Sequence, residues 1–280
     1  MCHWIGSEPV RALRGHTSSD PTQHVLIEED EMIVKIPVRL KKEPLLEAIW
    51  EIRFSSDKPS VAELLPGMLF NSFPQKYGNI VRLPAADIPA AIAEQDPNLR
   101  NVPKIRLENG NQAVQIGEHV VSLNCRRPYS GWSNFSKDIR SLAAALQRTG
   151  LIRTLERFSL KYIDLIELDP PADLGCLNLD LTLGEHQIST KPVQLRTEIR
   201  EEDLIHIVQV VSPAEVTLPG HEKRWKGVLL DIDTIRPLTE TQSWDELERC
   251  LDGVHMSCKR MFYSLLKPET LKRLDPEYGE

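Results

Sequence analysis

The sequence predicts an α+β fold: mostly antiparallel sheet packed against a few helices, with a long C-terminal helix. Three features of the 280 residues carry that reading. Apolar and polar residues alternate with period two in several short segments, which sends successive side chains to opposite faces of a strand. Two other segments keep an apolar stripe at spacings of three and four, the period of a helix. The strands also come in runs, with helices only between the runs, which favours α+β over a doubly wound parallel sheet.

In chain order, Glu47–Phe54 alternates strictly. Ala48, Trp50, Ile52 and Phe54 share one face, and Glu47, Glu51 and Arg53 fall mostly on the other, which predicts a half-buried strand. Val61–Tyr77 reads as helical but is interrupted by Pro66 and Pro74, and Pro84, Pro89, Pro97 and Pro103 predict loop over 84–104. Ala113–Cys125 predicts a hairpin turning at Gly117-Glu118, because glycine at the first position of a two-residue loop suits a type II′ turn. Trp132, Phe135, Ile139, Leu142 and Leu146 make one helical stripe that stops at Gly150, a residue free to take the left-handed conformation of a helix end. Glu156–Leu168 predicts a long strand with Phe158, Leu160 and Tyr162 on one face. The change to Ile163 and Leu165 predicts a bulge or burial on both faces.

Further strands are predicted at Leu177–Leu183 and Val228–Ile235, and a hairpin joins Val193–Ile199 to Leu204–Val210 across Glu201-Glu202-Asp203. The last element is a helix from Ser243, where Ser243 and Glu246 fit a reciprocal capping box. Its stripe is Leu247, Leu251, Val254, Cys258, Met261 and Leu265, and it ends before Pro268.

Residues 1–36 lack sustained periodicity and carry the acidic run Glu28-Glu29-Asp30-Glu31, so a flexible tail is expected there, with a second tail at 275–280. Residues 37–274 are expected to form one α+β domain, and the stiff stretch from Asp169 through Pro171 marks 169–176 as the place where it would divide into halves. No internal repeat is visible. A hydrophobic fraction of 41% supports a full core. No apolar run approaches the ~20 residues that span a bilayer, and the first residues hold no apolar signal-like stretch. The five cysteines (Cys2, Cys125, Cys176, Cys250, Cys258) are scattered, odd in number and without a CxxC pair. They argue against a disulfide framework or zinc ribbon and fit a reducing cytoplasm. A net charge of −7 removes the broad electrostatic reason to expect nucleic acid.

Four segments then stand out in order: Pro44-Leu45-Leu46-Glu47-Ala48-Ile49-Trp50-Glu51-Ile52-Arg53-Phe54, Tyr129-Ser130-Gly131-Trp132-Ser133-Asn134-Phe135, Glu156-Arg157-Phe158-Ser159-Leu160-Lys161-Tyr162-Ile163-Asp164, and Leu230-Asp231-Ile232-Asp233. With them the chain resembles a sporadically distributed, functionally unassigned bacterial family, from approximately Pro37 to Leu274. The family pattern reads Arg-Tyr-Ile-Asn where this chain has Lys161-Tyr162-Ile163-Asp164. The resemblance implies a patchily inherited accessory protein associated with mobile or defence genes. It supplies no reaction, cofactor or catalytic residue.

The residues offer a few candidate sites. Asp231 and Asp233, two apart on a strand, project from one face about 7 Å from each other. Such a pair could hold Mg²⁺ or Mn²⁺ or work as acid and base, but a strand turning its polar face to solvent produces the same pattern. His206, between Ile205 and Ile207, reads as a satisfied sheet histidine before it reads as a base. Cys250, His255 and Cys258 are the one Cys/His cluster, yet zinc would lack a fourth ligand, and Cys258 completes an apolar stripe. Tyr129 and Trp132 could stack on a base or sugar, although Trp132 opens a helix stripe and belongs to the core on that pattern. Gly-x-Ser-x-Gly, Gly-x-Gly-x-x-Gly and the Walker lysine loop are all absent.

No cofactor and no bound metal are expected. The leading expectation is a non-catalytic binding or regulatory protein that recognises a protein partner or itself, as a homodimer formed through exposed strand edges. One alternative is a metal-dependent hydrolase using Asp231 and Asp233. Another is a small-ligand-binding protein with its pocket between the sheet and the C-terminal helix.

Overall fold

The computed structural model describes residues 36–168, 172–217, 223–239 and 244–279. The N-terminal tail expected over 1–36 therefore lies outside the described residues up to Lys35. So do Ser243 of the capping box, Asp169–Pro171 of the stiff stretch, and Glu280.

The elements in chain order are β1 (Arg39–Leu40), β2 (Leu45–Ser55), α1 (Val61–Ser72), β3 (Asn79–Arg82), α2 (Ala90–Gln95), α3 (Pro97–Arg100), β4 (Ile105–Asn109), β5 (Gln112–Ile116), β6 (Val120–Arg126) and α4 (Trp132–Thr149). There follow β7 (Thr154–Ile166), β8 (Thr182–Leu183), β9 (His186–Gln187), β10 (Val193–Glu201), β11 (Leu204–Thr217), β12 (Arg224–Pro237), α5 (Trp244–Leu265), α6 (Pro268–Arg273) and β13 (Pro276–Glu277). Nine strands make one antiparallel sheet in the order β10-β11-β12-β7-β2-β6-β5-β4-β3. The class is α+β, as the grouped strands predict.

Apart from the extra edge strand β3, this order is symmetric about the central β2/β7 pair. Outward from β2 come β6, β5 and β4, and outward from β7 come β12, β11 and β10. Each set closes with a helix, α4 after β6 and α5 after β12. The fold is thus two similarly wound halves, and the chain passes between them at residues 150–153. Gly150, in the left-handed region at φ 64°, ends α4 there. The stretch 169–176, where a division was expected, follows β7 in chain order, and its residues 169–171 lie outside the described residues. The likeness of the halves is not visible in the sequence because it resides in backbone winding, which different side chains can satisfy.

Alternation decides which residues meet the helices. Trp50, Ile52 and Phe54 of β2, Leu123 of β6, and Phe158 and Leu160 of β7 are fully or almost fully buried on one face. They pack with Leu65 and Leu69 of α1, Phe135, Ile139 and Leu142 of α4, and Leu247, Leu251 and Val254 of α5. A second cluster joins Val208, Val210, Leu230 and Ile232 to Cys258, Met261 and Phe262 from the later turns of α5. The 22 residues of α5 span both clusters, about 33 Å at 1.5 Å per residue.

Several expectations need correction. The long helix is not C-terminal, because α6 and β13 follow it, and β13 pairs with β1 where a tail was expected. Arg39 and Glu277 join their side chains across that pair. The stretch 84–104 includes α2 and α3 as short helices. Leu177–Leu183 is a strand only at β8, with Leu177 instead bridging to Leu266. In the β5–β6 hairpin Gly117 still pairs, donating to the Val120 carbonyl at 2.8 Å, so the turn falls on Glu118-His119. Glycine is needed at 117 for a different reason: a Cβ there would sit 2.7 Å from the Val102 carbonyl oxygen. Burial on both faces of β7 is present, since Leu165 and Ile166 are both inaccessible, and the β2/β7 register shifts between Leu45 and Glu47.

Candidate functional site

The three residues singled out from sequence are not brought together. Asp231 and Asp233 lie on the sheet face away from the helices, as odd-numbered neighbours of buried Leu230 and Ile232. Contrary to the solvent-facing expectation, they sit in a half-buried ionic layer. Lys161 of β7 reaches the Asp231 carboxylate at 3.2 Å. Arg157 contacts Glu51 at 2.8 Å, and Arg53 contacts the same carboxylate at 3.0 Å. Burial raises the pKa of Asp233, while Lys161 and Arg157 oppose that shift. An ammonium therefore occupies the electrostatic role that a metal would need, and no group of three or more metal-ligating side chains occurs among the described residues.

His206 is on the opposite face and completely buried. Its Nδ1 lies 2.9 Å from Thr234 Oγ1, and its Nε2 is 3.3 Å from Ser257 Oγ. Burial lowers its pKa against the opposing Glu201 carboxylate, 3.4 Å away. Both ring nitrogens thus have partners within the fold. The helix cluster disperses too: Cys250 contacts Glu246 at 2.9 Å, Cys258 faces the Ile232 carbonyl, and His255 meets Tyr162.

The hydrolase alternative can be tested on the aspartates directly. Mg²⁺ or Mn²⁺ at a hundredfold its dissociation constant would stabilise a real site by ~2.7 kcal/mol, or roughly 5–10 °C for a chain of this size. No shift is expected in a thermal melt. A shift of that size that disappears in Asp231→Asn would restore the hydrolase.

A different set of residues converges on a cleft of about 920 Å³. It is walled by residues 38–45, by the loop entering α4, by β7 and by α5. Exposed Arg39, Lys41, Glu43, Ser130 and Met256 form the rim, and buried Leu45, Asp164, Cys258 and Phe262 lie deeper. The β7 residues come from simple alternation, since Tyr162 and Asp164 continue the helix-facing series begun by Phe158 and Leu160.

One wall is held by a chain of contacts. The Trp132 ring stacks on His255 at 3.9 Å between centroids and 6° between planes. Trp132 Nε1 donates to Asp252 at 2.8 Å, and Arg140 fixes the other oxygen of Asp252 at 2.9 Å. His255 Nδ1 is 2.9 Å from the Tyr162 hydroxyl. Burial, with Lys259 adding to it, lowers the His255 pKa to about 4. The neutral ring and the phenol thus share one hydrogen bond.

Two polar groups in the cleft stay unmatched. The Tyr129 hydroxyl is buried without a hydrogen bond of good geometry, although the Tyr162 phenol is beside it. Asp164 is only 5% exposed, and its carboxyl has neither hydrogen bond nor ion pair among the described residues. Burial drives its pKa to about 8, with the Glu43 carboxylate adding to the shift and Arg127 opposing it. Arg127 is otherwise engaged: Nε donates to the Leu45 carbonyl at 2.7 Å and a terminal nitrogen to the Glu43 carbonyl at 2.7 Å. An unpaired buried polar group is destabilising unless something supplies its partner.

The sequence patterns point to neither Tyr162 nor Tyr263 as a site residue, name Asp164 only as a distant acid able to converge on Asp231 and Asp233, and place Trp132 in the core. One local signal was available: Asp164 falls on the apolar face of an alternating strand, two residues after Tyr162. No family model and no curated protein matches the chain.

Proposed function

We propose that this is a small-ligand-binding protein whose ligand occupies the cleft between the sheet and α5. The observation that carries the reading is Asp164, a buried carboxyl without a partner at a cleft of ligand size. Small-molecule sites measure roughly 300–1,000 Å³ and combine apolar walls with a few convergent polar groups, and the cleft of about 920 Å³ has that make-up. Binding is favoured over turnover by the state of the reactive groups. Burial pushes the Cys258 thiol up to about 12, which keeps it protonated and unreactive. His255 is held by Tyr162 and Trp132.

A macromolecular partner or self-association has less support. The β10 edge carries Arg196, Glu198, Arg200 and Glu201, a charged dressing that hinders edge-to-edge pairing. Of the large apolar side chains exposed among the described residues, Val38 and Met256 line the cleft, while Leu64, Ile80, Ile92 and Leu183 sit on four different elements and Tyr278 follows β13.

The test is a thermal-shift screen of a metabolite library against the wild type and Ser130→Trp. Ser130 is exposed on the rim, so the indole would block the cleft without entering the core. Some small molecule should stabilise the wild type, by ~2.7 kcal/mol at a hundredfold its dissociation constant, and lose that effect in the variant. Stabilisation of both proteins alike would place binding elsewhere and sink the proposal.

A further inference from the structure

Building on the cleft reading, we infer that the ligand is a small organic cation, an amine or quaternary ammonium on an apolar or aromatic body. The first reason is the missing counter-charge. Asp164 is buried at the cleft without an ion pair, and Glu43 presents a second carboxylate at the rim. The nearby guanidinium of Arg127 is turned to backbone carbonyls and, at 3.6 Å, to Glu167.

The second reason is the wall. Tyr129, Tyr162, Tyr263 and Phe262 line the same cleft, and aromatic faces attract cations through their quadrupole. One of them already does so: the Lys259 ammonium lies over the Tyr263 ring at 6.0 Å while donating to the Val38 carbonyl at 2.9 Å. Lys259 makes no ion pair with Asp164, so the deeper carboxyl remains available.

Binding of a cation here also depends on pH. The Asp164 carboxyl is largely protonated at neutral pH, held so by burial and by Glu43, and to a lesser degree by Asp231 across the sheet, against Arg127. Tyr162, Tyr263 and Cys258 beside it are themselves held neutral by burial. A bound cation stabilises the carboxylate, so binding releases one proton to solvent, and affinity rises with pH until the carboxyl is ionised without help.

Calorimetric titration with three probes tests this: benzyltrimethylammonium, whose charge is fixed; its uncharged carbon isostere neopentylbenzene; and the anion phenylacetate. The cation should bind the wild type most tightly, with affinity rising up to about tenfold between pH 7 and pH 9 for a group that titrates near 8. Asp164→Asn should bind it at least about tenfold more weakly at pH 9 and lose the pH dependence. Glu43→Gln, at an exposed position, should weaken it less. Equal binding of the cation by Asp164→Asn, or tighter binding of either other probe, overturns the cation assignment while leaving the cleft as a ligand site. Failure of the cation to bind the wild type also overturns the cation assignment, whereas the cleft itself stands or falls on the metabolite screen with Ser130→Trp.

Discussion

Leu251→Asp is expected to leave the protein unfolded or close to it. Leu251 is fully buried in the middle of the α5 stripe, between Leu247 and Val254, where the helix meets the core over β2 and β7. Removing a buried leucine forfeits about 1.5–3 kcal/mol of apolar transfer energy, and an unpaired carboxylate at that place adds a desolvation penalty of several kcal/mol. The sum rivals a typical total stability of about 5–15 kcal/mol. Leu251→Ala, which makes a cavity without a charge, should cost about 2–5 kcal/mol and still fold. Circular dichroism and urea denaturation measure both. A Leu251→Asp protein that melts with the wild type would mean that this stripe does not face the core.

Asp164→Asn is expected to do the opposite and stabilise the ligand-free protein, by an amount that grows with pH. The folded-state pKa of Asp164 is raised from 3.8 to about 8. Between those values the folded protein binds more protons than the unfolded chain, so its stability falls as pH rises through the window. Below about 4 the carboxyl is protonated in both states and imposes no penalty; above about 8 the penalty is complete. At about 1.4 kcal/mol per pKa unit the ceiling is on the order of 5 kcal/mol. The asparagine amide has the same shape and cannot ionise, so the variant should gain little at pH 4, more at pH 7 and most at pH 9 in urea denaturation. A variant no more stable than the wild type at pH 9 would show that the carboxyl has a partner after all. The stabilisation, set beside the expected loss of cation binding, would mark Asp164 as a residue kept for function at the expense of stability.

The two substitutions also separate what was legible in the chain from what was not. Leu251 could be assigned to the core from spacing alone, because a helix repeats every 3.6 residues and its buried stripe is a local property. The same holds for Trp50, Ile52 and Phe54 on β2, and for the α4 stripe that stops at Gly150. Asp164 could not be assigned this way. Its alternation is local, but its lack of a partner depends on where Arg127, Lys259 and Glu43 direct their side chains.

By itself the sequence determined the fold class, the main strands and helices, and which side chains share a face, since each depends on neighbours within a few residues. Only the tertiary structure decided that the halves meet at β2 and β7, and that His206 and Asp231 lie on opposite sides of the sheet. It alone also decided that Tyr162 meets His255, 93 residues away, at a cleft with Tyr129, Trp132 and Asp164. The physical reason is strand order. Periodicity fixes the direction of a side chain relative to its own strand or helix, whereas a binding site depends on which distant strands and helices are brought beside it.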